Sequence, residues 1–347
     1  MRLRSSSIHR IGGAASAPVR NARQRWSDRC GLLVALEIDG GLGLGEASPL
    51  PGYSIDTIDE AEASLRAAVA GIEKLPGTVD EIAALAAPIV SPTARFALET
   101  ALLDLQARSQ ACPVHRLVRP GPPPVVARSG LLQEESPRAL DAEALAARQR
   151  GLVHLKLKVG GGAIEDDIAR VKRLRYLLGG EVSLRLDANG AWPPAVAADA
   201  LAQLAPLDIA FVEEPTTALA SFGRQAVRWA ADESLVSQAD ALLAADACDI
   251  VVLKPAVLGW CGALRLGERA IARGKQLVVT HLFDGPVALA SACELALALA
   301  GPSLLPCGLD PHPALAAFPA WRLPQLDRAA TIQPAPGMGL GLREAVS

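Results

Sequence analysis

The chain has 347 residues, 50% hydrophobic and 20% charged with a net charge of −3, so it buries a sizeable core and is not a disordered segment. Its basic residues are scattered and its aromatics are only 3%, which argues against a nucleic-acid footprint or a base-stacking platform. The six cysteines show no metal-ligand spacing and read as small core residues of a reduced, cytoplasmic protein.

In chain order, the basic residues Arg2, Arg4 and Arg10 lead into no apolar stretch, so no secretory leader is expected. Leu32 to Ile38 reads as a strand, Asp39-Gly40-Gly41 as a turn and Leu42 to Glu46 as the returning strand of a hairpin. Helical patterns follow over Ile55–Ala70, with Asp56 or Thr57 as cap, and over Ser91–Ser109, where Ser91-Pro92 is a helix start. Pro120 to Pro124 breaks the pattern.

Beyond it, strand candidates are Val125–Ser129, Val153–Val159, Val182–Asp187, Ile209–Glu213, Trp229–Asp232, Ile250–Lys254, Leu277–His281 and Leu304–Gly308. Helical stretches lie between them at Pro137–Gln149, Ile164–Leu178, Pro194–Leu204 and Gly262–Arg273. Alternation of this kind predicts parallel βαβ units closing into an α/β fold, a modified (β/α)8 TIM-like barrel. The expected organisation is an α+β capping domain over 1–115, the barrel over 116–318, and a tail over 319–347 packing on the cap. The Ala-rich run Val287–Ala300 is interrupted by Glu294 and falls short of the roughly 20 residues a membrane span needs. Gly337 to Gly341 lacks phosphate-loop spacing and reads as a turn. Gly160-Gly161-Gly162 reads as a flexible βα loop rather than a phosphate cradle.

In such a barrel, active sites lie at the C-terminal ends of the strands. Asp187, Glu213 and Asp232 end three successive strand candidates, and their carboxylates would repel one another without a cation. Oxygen donors with no His or Cys nearby favour Mg²⁺, or Mn²⁺, over Zn²⁺. Glu214 is the alternative to Glu213 as ligand. Asn189, Glu214 and Glu233 are expected to orient ligands or lysines. Lys156 and Lys158 are two apart on one strand and share a face, where two inward lysines demand a site. A nearby divalent cation and second lysine disfavour an ammonium, which suits a lysine to act as base near neutral pH. Lys254 ends a strand on the far side of an eight-membered ring, placed for the opposite face of a planar intermediate. His281 is as consistent with a structural role as with a catalytic one.

These residues resemble the enolase superfamily, in its muconate-lactonizing subgroup: a Lys-x-Lys strand, an Asp/Glu/Asp set on three strands and a lysine on the sixth. Gly45 to Ser54, Leu184 to Trp192, Ile209 to Pro215, Val252 to Pro255 and Cys307 to Asp310 resemble, more narrowly, the o-succinylbenzoate synthases of menaquinone biosynthesis. The resemblance implies Mg²⁺ on Asp187, Glu213 and Asp232 holding a small-molecule carboxylate substrate, and Lys158 removing its α-proton. It further implies loss of water aided by Lys158, and Lys254 as a cation over the ring. Loops around 14–29 and 48–54 would close over substrate, with Thr280 and Gly308 touching its succinyl end. Related synthases often carry a Ser-rich segment where this chain has Thr280 to Pro286. The same lysine pair serves racemases of N-succinyl amino acids and muconate cycloisomerases, which stay open as alternatives. Gly308-Leu309-Asp310 stands where dipeptide epimerases have Asp-x-Asp.

Overall fold

The structure, a computed structural model, describes residues 3–21, 24–72 and 74–344. Strands β1 (Ser5–Arg20), β2 (Arg25–Ile38) and β3 (Gly41–Ala47) form an antiparallel sheet in that order. The hairpin expected at 32–46 is therefore the end of a longer ladder. Pairing runs from Ser5↔Glu37 to Ala14↔Asp28, slips, and resumes at Val19↔Trp26. This corrects the expected closing loop at 14–29: most of it is strand, while residues 22 and 23 lie outside the described residues. The slipped stretch still supplies Ala17 and Pro18 to the central cavity.

Helices α1 (Ile58–Ala70), α2 (Val79–Ala86) and α3 (Pro92–Ser109) cover this sheet. Thr57 and Glu60 form a reciprocal capping box, so α1 begins at Ile58 rather than Ile55. Ser91 caps α3 ahead of Pro92. Helix α3 lies directly on β3: a Cβ at Gly45 would stand 1.9 Å from the Ala97 carbonyl oxygen, so only glycine permits that approach.

The chain then builds β4 (Val126–Ala127), β5 (Gly130–Leu132), α4 (Pro137–Gln149), β6 (His154–Lys158), α5 (Ile164–Leu178), β7 (Ser183–Asp187), α6 (Pro194–Leu204), β8 (Ile209–Glu213), α7 (Leu219–Phe222), β9 (Trp229–Ala231), α8 (Leu235–Ala244), β10 (Ile250–Leu253), α9 (Pro255–Leu258), α10 (Trp260–Ile271), β11 (Gln276–Val279) and α11 (Pro286–Ala298). Strands β5 to β11 form one parallel sheet in sequence order. Residues 304–308 close it. Gly308 N donates to Val279 O at 2.9 Å on one side, and Ser129 N donates to Cys307 O at 2.8 Å on the other. The expected Val125–Ser129 takes part in this closure, with Arg128 bridging Cys307 in parallel; the first strand of the main sheet follows it at Gly130–Leu132, and Val126–Ala127 also pair with the tail strand at Thr331–Ile332.

The expected apolar run at 287–300 is largely α11, all of whose residues are buried. Among the described residues no helix is long and apolar enough to cross a membrane. Four cysteines are buried as expected, whereas Cys30 is exposed and Cys112 half-buried. In the tail, Thr331–Ile332 pairs with β4, just ahead of the barrel sheet, while Leu340 N donates to Asp104 Oδ1 of α3 at 2.8 Å, so the tail touches both layers.

Two buried carboxylates tie the capping layer to the barrel. Glu46 of β3 accepts from Gly285 N at 2.6 Å, Val287 N at 3.1 Å and Ala288 N at 3.2 Å, so its carboxyl group caps the N-terminus of α11. Glu99 of α3 accepts from Cys261 N at 3.1 Å at the start of α10.

Candidate active site

Parallel register sets the site. Lys158 pairs with Asp187, and Asp187 with Glu213, whose neighbour in β9 is Ala230, two residues before Asp232. Alternation turns Lys156, Lys158, Asp187 and Glu213 inward at one mouth. Oxygens of Asp187, Glu213 and Asp232 all lie within 4.8 Å of one another, and all three residues are buried.

The lysines meet these acids from two sides. Lys156 Nζ bridges Glu213 Oε2 at 2.9 Å and Asp187 Oδ2 at 3.2 Å. Lys158 Nζ donates to Asp187 Oδ2 at 2.6 Å and to Asn189 Oδ1 at 3.1 Å. Across the barrel, four strands from β6, Lys254 Nζ donates to Asp232 Oδ2 at 2.6 Å. Burial opposes the charge on Lys254, yet Asp232, Tyr53 and Glu233 hold its pKa well above the ordinary lysine value. Burial also opposes ionisation of Asp187, but Lys158 and Lys156 keep its carboxyl below the usual range.

The neighbouring polar residues orient the others. Asn189, at φ 46°, accepts from Lys158 and donates to Glu233 Oε1 at 2.7 Å. Glu214 stands at φ 41°, a backbone region that costs a bulky residue energy and that clusters at functional sites. The twist removes its carboxylate from the acid cluster and sends it to Asp232 N at 2.8 Å and Ser234 N at 3.2 Å. Of the adjacent pair, it is Glu213 that joins the cluster.

A cavity of about 270 Å³ opens over these groups. Thr280 and Gly308 line it together, Thr280 Oγ1 donating to Gly308 O at 3.0 Å. His281 is a wall residue: its Nδ1 accepts from Phe283 N at 2.9 Å and its ring stacks 4.4 Å from that of His312. Burial, then Lys156, pushes the His281 pKa down to about 3, so the ring is neutral at pH 7.

Among the lining residues to which the sequence assigns no individual role are His312, Arg185 and Tyr53, the last within the expected 48–54 loop. Arg185 alternates inward with Asp187 on β7 and lies 4.8 Å over the Phe211 ring, a signal the strand periodicity already carried. Tyr53 reaches Lys254 from the capping layer, its hydroxyl 2.5 Å from Nζ.

The acid set fits a hard divalent cation. Its donors are all carboxylate oxygens, and Asp232 Oδ1 is buried with no hydrogen-bond partner among the described residues. Burial and then Glu233 push the Asp232 carboxyl well above the usual range, a crowding that a cation would relieve.

Residues 139–346 match the family described as Enolase C-terminal domain-like, and residues 4–105 match the MenC N-terminal domain. An o-succinylbenzoate synthase of Thermosynechococcus vestitus is 31% identical over 286 residues, covering 78% of this chain and 82% of that one. An L-Ala-D/L-Glu epimerase of Bacillus subtilis is 28% identical over 308 residues, covering 83% and 82%. Among solved structures, a dipeptide epimerase from Enterococcus faecalis complexed with Mg and the dipeptide L-Leu-L-Tyr is 24% identical, with a TM-score of 0.87 over 99% of this chain and 100% of that one. At that identity the likeness establishes the fold.

Proposed function

The chain belongs to the enolase superfamily, and from that premise we propose that it is a Mg²⁺-dependent lyase. Its substrate would be 2-succinyl-6-hydroxy-2,4-cyclohexadiene-1-carboxylate and its product o-succinylbenzoate, a step of menaquinone biosynthesis. The observation that carries the chemistry is the placement of Lys158 and Lys254 on opposite sides of one buried acid cluster.

Asp187, Glu213 and Asp232 would hold Mg²⁺ (or Mn²⁺), which would supply positive charge to stabilise the negative charge that develops on a substrate carboxylate as its α-proton leaves. Lys158 Nζ, aimed by Asn189, takes that proton. The electron pair of the broken C–H bond enters the carboxylate as an enediolate. It then returns to expel the ring hydroxyl, and the proton on Lys158 joins the departing oxygen as water. Lys254 supplies a positive charge on the other ring face. Lys156 joins Asp187 to Glu213 and holds the two acids in register. Thr280 and Gly308 line the end that would take the succinyl arm.

Two observations favour dehydration over epimerisation. The capping layer matches the MenC N-terminal domain. Asp310, the one acid of Gly308-Leu309-Asp310, forms ion pairs with Arg128 at 3.5 Å and Arg150 at 3.2 Å, and Gly308 offers no carboxylate where an Asp-x-Asp pattern would have its first acid. The second reading is an N-succinyl amino acid racemase or muconate-type cycloisomerase, which the same lysines and the epimerase relatives support. The test incubates the purified chain and Mg²⁺ with the cyclohexadiene acid, following its ultraviolet absorbance, beside N-succinyl amino acids and dipeptides read by polarimetry. Aromatisation that Lys158→Ala abolishes is expected; optical inversion without aromatisation would refute the lyase reading.

A further inference from the structure

The turn between β3 and α1 is unusually well braced. Tyr53 N donates to Leu50 O at 3.0 Å, Ser54 N to the same oxygen at 2.9 Å, and Leu50 N to Ser54 Oγ at 2.9 Å. The hairpin strand β2 fastens this turn from outside. Trp26 Nε1 donates to Pro51 O at 3.0 Å. The buried Arg29 guanidinium donates to Ser48 O at 2.7 Å, to Pro49 O at 2.9 Å and, from the barrel loop after β11, to Phe283 O at 3.0 Å. One side chain thus locks the turn both to its own sheet and to the barrel mouth.

What this rigid turn delivers is Tyr53. Its hydroxyl oxygen accepts from Lys254 Nζ at 2.5 Å, and the same Nζ lies 4.9 Å from its ring centroid. The other partners of that ammonium, Asp232 at 2.6 Å and Glu233 at 3.8 Å, belong to the barrel. A lysine ends a flexible four-carbon stem whose head must be restrained from more than one direction to stay in register with a reacting atom. Asp232 restrains it from the barrel, and Tyr53 from the cap.

We propose that Tyr53 is a positioning residue for Lys254, through which the capping layer completes the catalytic machinery of the barrel. The inference rests on the role of Lys254 given above, but not on which reaction it serves, since both readings place Lys254 across the site from Lys158.

The test separates hydroxyl from ring. Tyr53→Phe removes the hydrogen bond and keeps the aromatic face; Tyr53→Leu removes both. A hydrogen bond to a charged group supports about a tenfold effect. Expected for Tyr53→Phe is a fall of about tenfold in kcat with KM within about twofold, and for Tyr53→Leu a further fall from the lost ring face. In a Lys254→Ala background, Tyr53→Phe should change nothing more. An unchanged kcat, a loss carried entirely by KM, or an additive loss in the Lys254→Ala background would each overturn the proposal. The substrate is whichever of the cyclohexadiene acid, N-succinyl amino acids or dipeptides the unaltered chain turns over, so failure of the dehydration reading shows in the unaltered protein and failure of this one only in the variants. A stability cycle with Tyr53→Phe and Lys254→Met, read by urea unfolding, needs no substrate. Coupling of about tenfold in the unfolding constant supports the contact, and strict additivity refutes it.

Discussion

Glu46 gives the most quantitative prediction. It is fully buried, and burial, outweighing the Ser48 hydroxyl and the backbone donors of α11, pushes its carboxyl up to about 7 from 4.5. The folded protein therefore keeps a proton there between about pH 4.5 and 7 that the unfolded chain releases. With more protons bound in the folded state, stability falls as pH rises through that window. A separation of 7 − 4.5 = 2.5 units corresponds to about 3 kcal/mol, present in full below pH 4.5 and lost above pH 7. Glu46→Gln abolishes this proton uptake. Its amide would also set an NH₂ against the Val287 and Ala288 N–H donors, or against those of Ser48 and Gly285, which adds a destabilising offset. The offset is not the test; the slope is. Urea midpoints of both proteins from pH 4.5 to 8, multiplied by their m-values, should show the variant's deficit shrinking by about 3 kcal/mol as pH rises. Parallel profiles, within about 0.5 kcal/mol throughout, would refute the reasoning that burial dominates at Glu46.

Four further outcomes follow from the same geometry. Asp232→Asn removes one of three clustered carboxylates, so Mg²⁺ affinity by calorimetry should weaken by more than about tenfold; an unchanged affinity would remove Asp232 from the donor set. Lys254→Arg keeps positive charge but gives up easy proton transfer, so dehydration should survive in part while any racemisation is lost. A Cβ at Gly308 would lie 2.7 Å from Thr280 Oγ1, so Gly308→Ala should displace that hydroxyl and raise KM several-fold with a smaller change in kcat. Arg29→Met leaves the Ser48, Pro49 and Phe283 carbonyls without their buried donor and should cost about 2 to 4 kcal/mol by urea unfolding, with a matching loss of activity as the Tyr53 turn loosens.

The barrel and its acids were legible in sequence because parallel strands announce themselves twice, by apolar runs and by a polar residue at each C-terminal end. Asp187, Glu213 and Lys158 follow from alternation alone once their strands are drawn. The long hairpin was not legible before Leu32, because Ser5 to Arg20 is mostly exposed and rich in Gly, Ala and Ser, so no alternation marks it. The segments Val125–Ser129 and 304–308 close the barrel on each other as their apolar character suggests, but the second pairing of Val126 and Ala127, with a tail some 200 residues away, leaves no local mark. Choosing between Glu213 and Glu214 needed a backbone angle of 41° that no propensity predicts.

Tyr53 shows why a site assembled from two layers resists sequence reading. The Gly45 to Ser54 segment is visible as a motif, yet nothing local indicates that its tyrosine meets a lysine 201 positions on. That meeting depends on β3 lying against α3 at Gly45, on Glu46 capping α11, and on Arg29 joining the turn to the loop after β11. On the proposed reading, the acids and lysines of the barrel remove a proton beside a carboxylate, a chemistry that would serve a lyase or an epimerase alike. On the same reading, the groups that would meet the rest of the substrate lie elsewhere at the barrel mouth: the Thr280–Gly308 contact and an Asp310 paired with two arginines. On the proposed reading the site draws on both layers, Lys254 from the barrel and Tyr53 from the cap, which is why the buried carboxylates and Arg29 that fasten the two layers bear on catalysis as well as on stability.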